Sequence, residues 1–197
     1  MASTSNFWTA APNLDPKRGF RFRVTVEGIQ TGNIWYAKKA DKPQISFTEA
    51  SHNYLNHTYY WPARTEWNEV SITFVDPVDP HLAASMGDLI ERAGYVIPAG
   101  TQNDSDFSSV SKKGAKEALI SVLIEQIDEA GVSLEKWTLH NAWVKEITFG
   151  DLDYGSDDII EMTMKFRYDW ASFEPGGDGA RGAGGSPELF TVGATGE

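Results

Sequence analysis

The stretch "DIIEMTMKFRYDW" (158–170) alternates without a break. Ile160, Met162, Met164, Phe166, Tyr168 and Trp170 share one side, and Glu161, Thr163, Lys165, Arg167 and Asp169 share the other. Successive side chains of a strand point to opposite faces, so a period of two predicts a strand with one buried face. So long a strand needs neighbours on both sides. The same period recurs upstream. "FRFRVTVEG" (20–28) sets Phe20, Phe22, Val24 and Val26 against Arg21, Arg23, Thr25 and Glu27. "NEVSITFVDP" (68–77) sets Val70, Ile72 and Phe74 against Glu69, Ser71 and Thr73. "GNIWYAKKA" (32–40) reads as a partner of the first strand after a turn at Thr31-Gly32-Asn33, and "QISFTEA" continues beyond Pro43.

One segment breaks the β pattern clearly. "DPHLAASMGDLIERAG" (79–94) offers Asp79 as N-cap, Pro80 in the first turn and Gly94 as C-terminal stop. Leu82, Met86, Leu89 and Ile90 give its apolar stripe. "AKEALISVLIEQIDEAG" (115–131) fits both periods: Leu119, Val122, Leu123 and Ile127 suit a helix, while Ala118, Ile120, Val122 and Ile124 suit a strand. Its β-branched residues favour a hairpin into "EKWTLHNAWVKEITFGD".

The 197 residues point to one domain with appendages. Residues 1–18 read as an arm, with Phe7 and Trp8 suited to latching on another surface. Residues 19–174 form the domain, 96–116 a long polar insertion loop, and 175–197 a flexible Gly-rich tail. Apolar residues make up 41%, enough for a core. There is no cysteine, hence no disulfide, thiolate metal site or cysteine nucleophile. Net charge is −11, which serves solubility and disfavours tight nonspecific binding to nucleic acid. Neither a signal peptide nor an apolar run of membrane-spanning length is visible, so synthesis and folding in the cytoplasm are expected.

Signs of chemistry are few. There is no phosphate loop, dinucleotide fingerprint or nucleophile elbow. His52 and His57 are close in sequence, but His81 and His140 are distant, and none has metal-ligand spacing. "DLDYGSDDIIE" departs from a calcium loop because its glycine falls one position early, and it reads as a hairpin turn. No catalytic residue, metal or cofactor is expected.

What stands out instead is "EASHNYLNHTYYWPARTEWNE" (49–69), with Tyr54, Tyr59, Tyr60, Trp61 and Trp67 crowded together. So much ring surface in a soluble chain implies a ligand groove or a surface that another copy covers.

The order of these pieces resembles the tail tube proteins of contractile-tailed bacteriophages, which are related to the inner tubes of contractile injection systems. The similarity runs over most of 19–173. It is carried by "FRFRVTVEGI", "AKKADKPQIS", a long hairpin, "TEWNEVSITFVD", and above all "WTLHNAWVKEITFGDLDYGSDDIIEMTMKFRYDW" with its closing Tyr168-Asp169-Trp170. The Gly-rich tail and parts of 96–116 depart from the pattern. The resemblance implies a mainly β fold: a β-sandwich or barrel with one flanking α-helix, whose strands enter a shared inner β-barrel in a hexameric ring. Rings would stack into a tube that conducts DNA into the host when a sheath contracts, without binding the DNA specifically. The implied partners are the chain itself, a tail sheath protein, baseplate or initiator proteins and a tail terminator, and the implied place is the virion tail. On this reading Tyr54, Tyr59, Tyr60 and Trp61 seal one ring against the next, and Arg64 anchors the hairpin to an acid. Glu27, Glu69 and Glu161 are candidates to face the lumen, although Arg21, Arg23, Lys165 and Arg167 lie on the same strand faces and leave a mixed lining open. Two alternatives stand beside this one: the inner tube of a pyocin-like or extracellular injection system, and, in another class, a carbohydrate-binding β-sandwich using the 49–69 rings as a platform.

Overall fold

A computed structural model describes residues 16–29, 36–78, 81–96, 109–119 and 121–176. The strands are β1 (Phe22–Glu27), β2 (Ala37–Ala40), β3 (Ile45–Tyr54), β4 (His57–Trp67), β5 (Val70–Val75), β6 (Ser121–Ile127), β7 (Ser133–His140), β8 (Trp143–Thr148), β9 (Glu161–Arg167) and β10 (Trp170–Pro175). Among the described residues two helices lie between β5 and β6: α1 (Leu82–Arg92) and α2 (Lys112–Ala118). One four-stranded sheet has the order β1-β6-β7-β10, a second has β2-β5-β9-β8, and β3 pairs only with β4.

The alternating stretches build the core between the two larger sheets. Val70 and Ile72 on β5, Met162, Met164 and Phe166 on β9, and Val122 on β6 are completely buried. Val24, Ile124, Leu139 and Ala171 face them from the first sheet. As its length implied, β9 is paired on both sides, with β5 and β8. The fold class read from the sequence holds: a β-sandwich with flanking helix.

Several local expectations need correction. β1 does not pair with the segment after Gly32. It pairs antiparallel with β6, and β2 pairs with β5 in the opposite sheet. The turn expected at Thr31-Gly32-Asn33 lies outside the described residues. The ambiguous 115–131 segment is both things in turn, helix to Ala118 and strand from Ser121. The helix α2 reaches back into the insertion read as loop, started by Ser111, whose Oγ accepts from the Gly114 N–H at 3.0 Å. Most of that insertion, 97–108, lies outside the described residues. α1 begins at Leu82 after His81, which makes no side-chain cap; the Asp79 and Pro80 expected to start it lie outside the described residues. Gly94 does end it, in a left-handed conformation.

The last strand also breaks earlier than its alternation suggests. β9 stops at Arg167, and Trp170 opens β10 in the other sheet instead of sharing the face of Met162 to Tyr168. Asp169 holds this corner. Its carboxylate accepts from Lys112 Nζ at 2.7 Å and from Asn141 Nδ2 at 3.0 Å, while its N–H donates to the His140 carbonyl. Trp170 then stacks on the His140 ring, with centroids 3.6 Å apart. The Tyr-Asp-Trp triplet is thus a crossing point between sheets.

Both ends of the first sheet are pinned by close backbone approach. A Cβ on Gly28 would fall 2.4 Å from the Ala118 carbonyl oxygen, and one on Gly176 would fall 2.0 Å from that of Ser133. Gly176, the first glycine of the expected flexible tail, donates its N–H to Leu134. The rest of the tail, and the Phe7-Trp8 pair, lie outside the described residues.

Candidate functional site: a projecting hairpin and the groove at its root

β3 and β4 form a long hairpin that runs beyond the 49–69 stretch carrying the crowded rings. Register runs from Ile45↔Trp67 at the root to Tyr54↔His57 at the tip. Residues 45–66 are all solvent-exposed. Pro62 has no N–H to give a sheet, and it sits beside a bulge between Phe47 and Glu49. There Thr48 Oγ1 accepts from the Arg64 N–H at 2.9 Å, which closes the bulge. A two-residue turn, Leu55-Asn56, joins the strands, with Leu55 at φ 53°.

Pairing assigns the faces. His52 opposite Tyr59, Ala50 opposite Trp61 and Tyr54 opposite His57 share one face; Ser51 opposite Tyr60 and Phe47 opposite Thr65 share the other. On the first face His52 and Tyr59 each flank Trp61, at centroid distances of 6.4 and 6.3 Å. Tyr54, Tyr59, Tyr60 and Trp61 are all at least half exposed. The sequence therefore located the ring cluster, and the structure divides it between two faces. Arg64 sits at the bulge with its side chain in no ion pair among the described residues. Sequence reasoning passed over Ile45, Phe47 and Leu55, which are also exposed. Ile45 and Phe47 alternate in "QISFTEA", a signal that was present but weak.

Among the described residues the hairpin packs on its own domain at the root. Trp67 is half-buried, packs against the core, and lies 6.0 Å from the Tyr168 ring. Burial pushes the Tyr168 phenol up to about 12; its hydroxyl sits near the Gln44 backbone but outside hydrogen-bonding geometry. Beside this root runs a groove of about 720 Å³, a size typical of binding clefts. Trp67, Val110, Ala115, Trp143 and Tyr168 supply its apolar surface, and Glu66, Lys112, Arg167 and Asp169 its polar rim.

The candidate lumen acids are not brought together. Glu27 lies on the first sheet, where its carboxylate accepts from the Ser121 hydroxyl at 2.7 Å. Glu161 opens β9 in the second sheet, and Glu69 immediately precedes β5 of that sheet. Glu69 pairs with Lys145 and lies 3.9 Å from Arg167; Glu161 pairs with Lys38. The bond from Lys145 holds Glu69 below its ordinary value. The first sheet carries a row of alternating charge across its strands, with Arg23 2.5 Å from Glu125 and Lys136 3.4 Å from Glu174. The second adds Lys165–Glu146 at 2.9 Å and a Thr73–Thr163 hydroxyl pair. Each outer face is therefore a lattice of paired charges, and neither is evenly acidic.

Among the described residues no cluster of three metal-ligating side chains occurs, and no helix is long and apolar enough to cross a membrane.

No protein-family model matches the chain, and no curated protein matches it in sequence. Solved structures do match in fold. A chain of the sixfold-symmetrised anti-feeding prophage baseplate superposes with a TM-score of 0.59 at 14% identity, over 82% of this chain and 97% of that one. A chain of the anti-feeding prophage tube-terminating cap gives 0.58 at 17%, over 82% and 93%. A chain of the sheath–tube complex of the PVC extracellular contractile injection system gives 0.57 at 16%, over 87% and 99%. At such identities the likeness speaks for the fold alone, and in that respect the chain is built like components of the tube, cap and baseplate assemblies of contractile injection systems, as the sequence resemblance implied.

Proposed function

We propose that this chain is a structural, non-enzymatic subunit of the inner tube of a contractile device. Six copies form a ring, rings stack, and the hairpin bridges one ring to the next. The observation that carries this reading is the hairpin itself. It holds out Tyr54, Tyr59, Tyr60 and Trp61 on an element that contributes only its root to the core. A two-stranded ribbon alone is marginal in water, and so large an exposed apolar surface marks an interaction site. Burying each ring is worth about 2 kcal/mol. Arg64, exposed at the bulge, is placed to meet an acid of the neighbouring copy.

Both devices named above, a phage tail tube that conducts DNA and the tube of an extracellular injection system, fit this reading. The fold likeness to injection-system components favours the second as strongly as the sequence resemblance favours the first. Sheath, baseplate and terminator proteins are partners on either account, and the assembled particle is the place of action. The lumen would be lined by paired charges from one sheet face, a surface that holds a passing polyanion weakly. A carbohydrate platform is less well supported, because sugar stacking favours a flat strip and the Tyr59 and Trp61 rings are tilted 36° to each other.

The test is negative-stain microscopy of the purified chain together with a variant in which residues 50–61 are replaced by Asn-Gly. Rings or tubes from the parent and folded, unstacked particles from the variant are expected. Equal tube formation by both would remove the hairpin from the account.

A further inference from the structure

The hairpin tip is built against its own local preference. Leu55 occupies the left-handed region at φ 53°, which turns normally fill with glycine or asparagine. It is also 86% exposed, so its side chain does nothing within its own subunit. Tyr54 beside it is 62% exposed. The tip sequence "NYLNHT" (53–58) carries no Asp, Glu, Lys or Arg. At the other end of the same hairpin lies a groove, part apolar and part charged, whose charges are partly satisfied: Lys112 pairs with Asp169 at 2.7 Å, and Arg167 lies 3.9 Å from Glu69.

We infer that Leu55, with Tyr54, seats in the groove floored by Trp67, Trp143 and Tyr168 of a second copy of this chain. The inference rests on the stacking reading above and names the receiving surface. Three features favour this occupant. The tip brings no Asp, Glu, Lys or Arg into the groove, where Lys112 and Asp169 already pair with each other. The groove has room for a leucyl and a tyrosyl side chain. Third, β4 is 11 residues long and separates tip from root by about 33 Å. Tip and groove are therefore different patches at opposite ends of one element. Repeated head-to-tail, such a contact closes a ring or propagates into a polymer. The stiff turn pre-sets the leucine outward, so seating it costs little ordering.

Two experiments test this, both on the full chain. Leu55→Asn suits the left-handed turn, so its melting temperature should equal or exceed that of the parent. The concentration needed for assembly, read by sedimentation, should nevertheless rise at least about tenfold, the loss of one buried leucine. Because the chain lacks cysteine, crosslinking is free of background. A mixture of the Leu55→Cys and Val110→Cys variants should give a disulfide-linked dimer on oxidation, since Val110 lines the groove and is itself exposed. Polymers that form equally well with Leu55→Asn, and no 55–110 crosslink within them, would overturn this inference and leave the tube reading standing. A chain that stays monomeric at every concentration would overturn both.

Discussion

The least expected residue in the sandwich is Glu135. It is 7% exposed, on the inward side of β7. Lys17 Nζ donates to it at 2.6 Å and Lys42 donates to its other oxygen, so one carboxylate ties the segment before β1 and the β2–β3 connection to the first sheet. Burial pushes this carboxyl up, but the two ammonium groups more than offset that and hold it below its ordinary value of 4.5. Its contribution is therefore present above pH 4.5 and fades as pH falls through the lower, folded value. Replacing Glu135 by Ala frees two half-exposed lysines and removes their shared acceptor, and should cost about 1–2 kcal/mol in urea unfolding at neutral pH, a loss that narrows in acid. His140 adds a second acid-sensitive element. Burial between Trp170 and Ser172 lowers its pKa, with Glu174 opposing, so protonation below its ordinary value of 6.5 works against the fold. Part of the stability lost between pH 7 and 5 should vanish in His140→Gln. Neither role was legible in the sequence. A lone glutamate in "SLEKWTLH" and a lone histidine show nothing of partners 118 and 93 residues upstream or on the neighbouring strand. The ring cluster at Tyr54, Tyr59, Tyr60 and Trp61 was legible because four large rings fall within eight positions.

At the scale of elements, period-two strands were read correctly wherever one face is buried throughout, as in β5 with Val70, Ile72 and Phe74 and β9 with Met162, Met164 and Phe166. What alternation does not encode is where a strand turns into the other sheet. That is decided at Asp169 by Lys112 and Asn141, which come from distant segments. Lys112, the largest influence, and Asn141 hold the Asp169 carboxyl below its ordinary value against some burial. Asp169→Ala should release α2: amides of 112–118 should exchange faster, with a global loss of about 1 kcal/mol after allowing for solvent screening. The pairing of β1 with β6 was likewise out of reach, because nearly a hundred residues separate Phe22 from Ser121. The hairpin should behave as a detachable element. Its removal at 50–61 leaves Trp67 in place, so thermal unfolding should change by only a few degrees while assembly is lost.

The whole molecule combines a sandwich that fills its own core with a long ribbon that does not. The root groove is assembled from β4, α2, β8 and the β9–β10 corner, so no single stretch of sequence could announce it. Acidity at −11 per copy must be managed when copies gather, and the paired charges on both outer sheet faces do this locally. Assembly should consequently tolerate moderate salt, because it leans on buried rings more than on ion pairs. The central claim is that identical copies stack through the hairpin, and sedimentation velocity of the full chain across a concentration series tests it most directly. Stepwise growth from rings to long polymers, abolished by the 50–61 replacement, is the predicted result; a single ~22 kDa species throughout would contradict it.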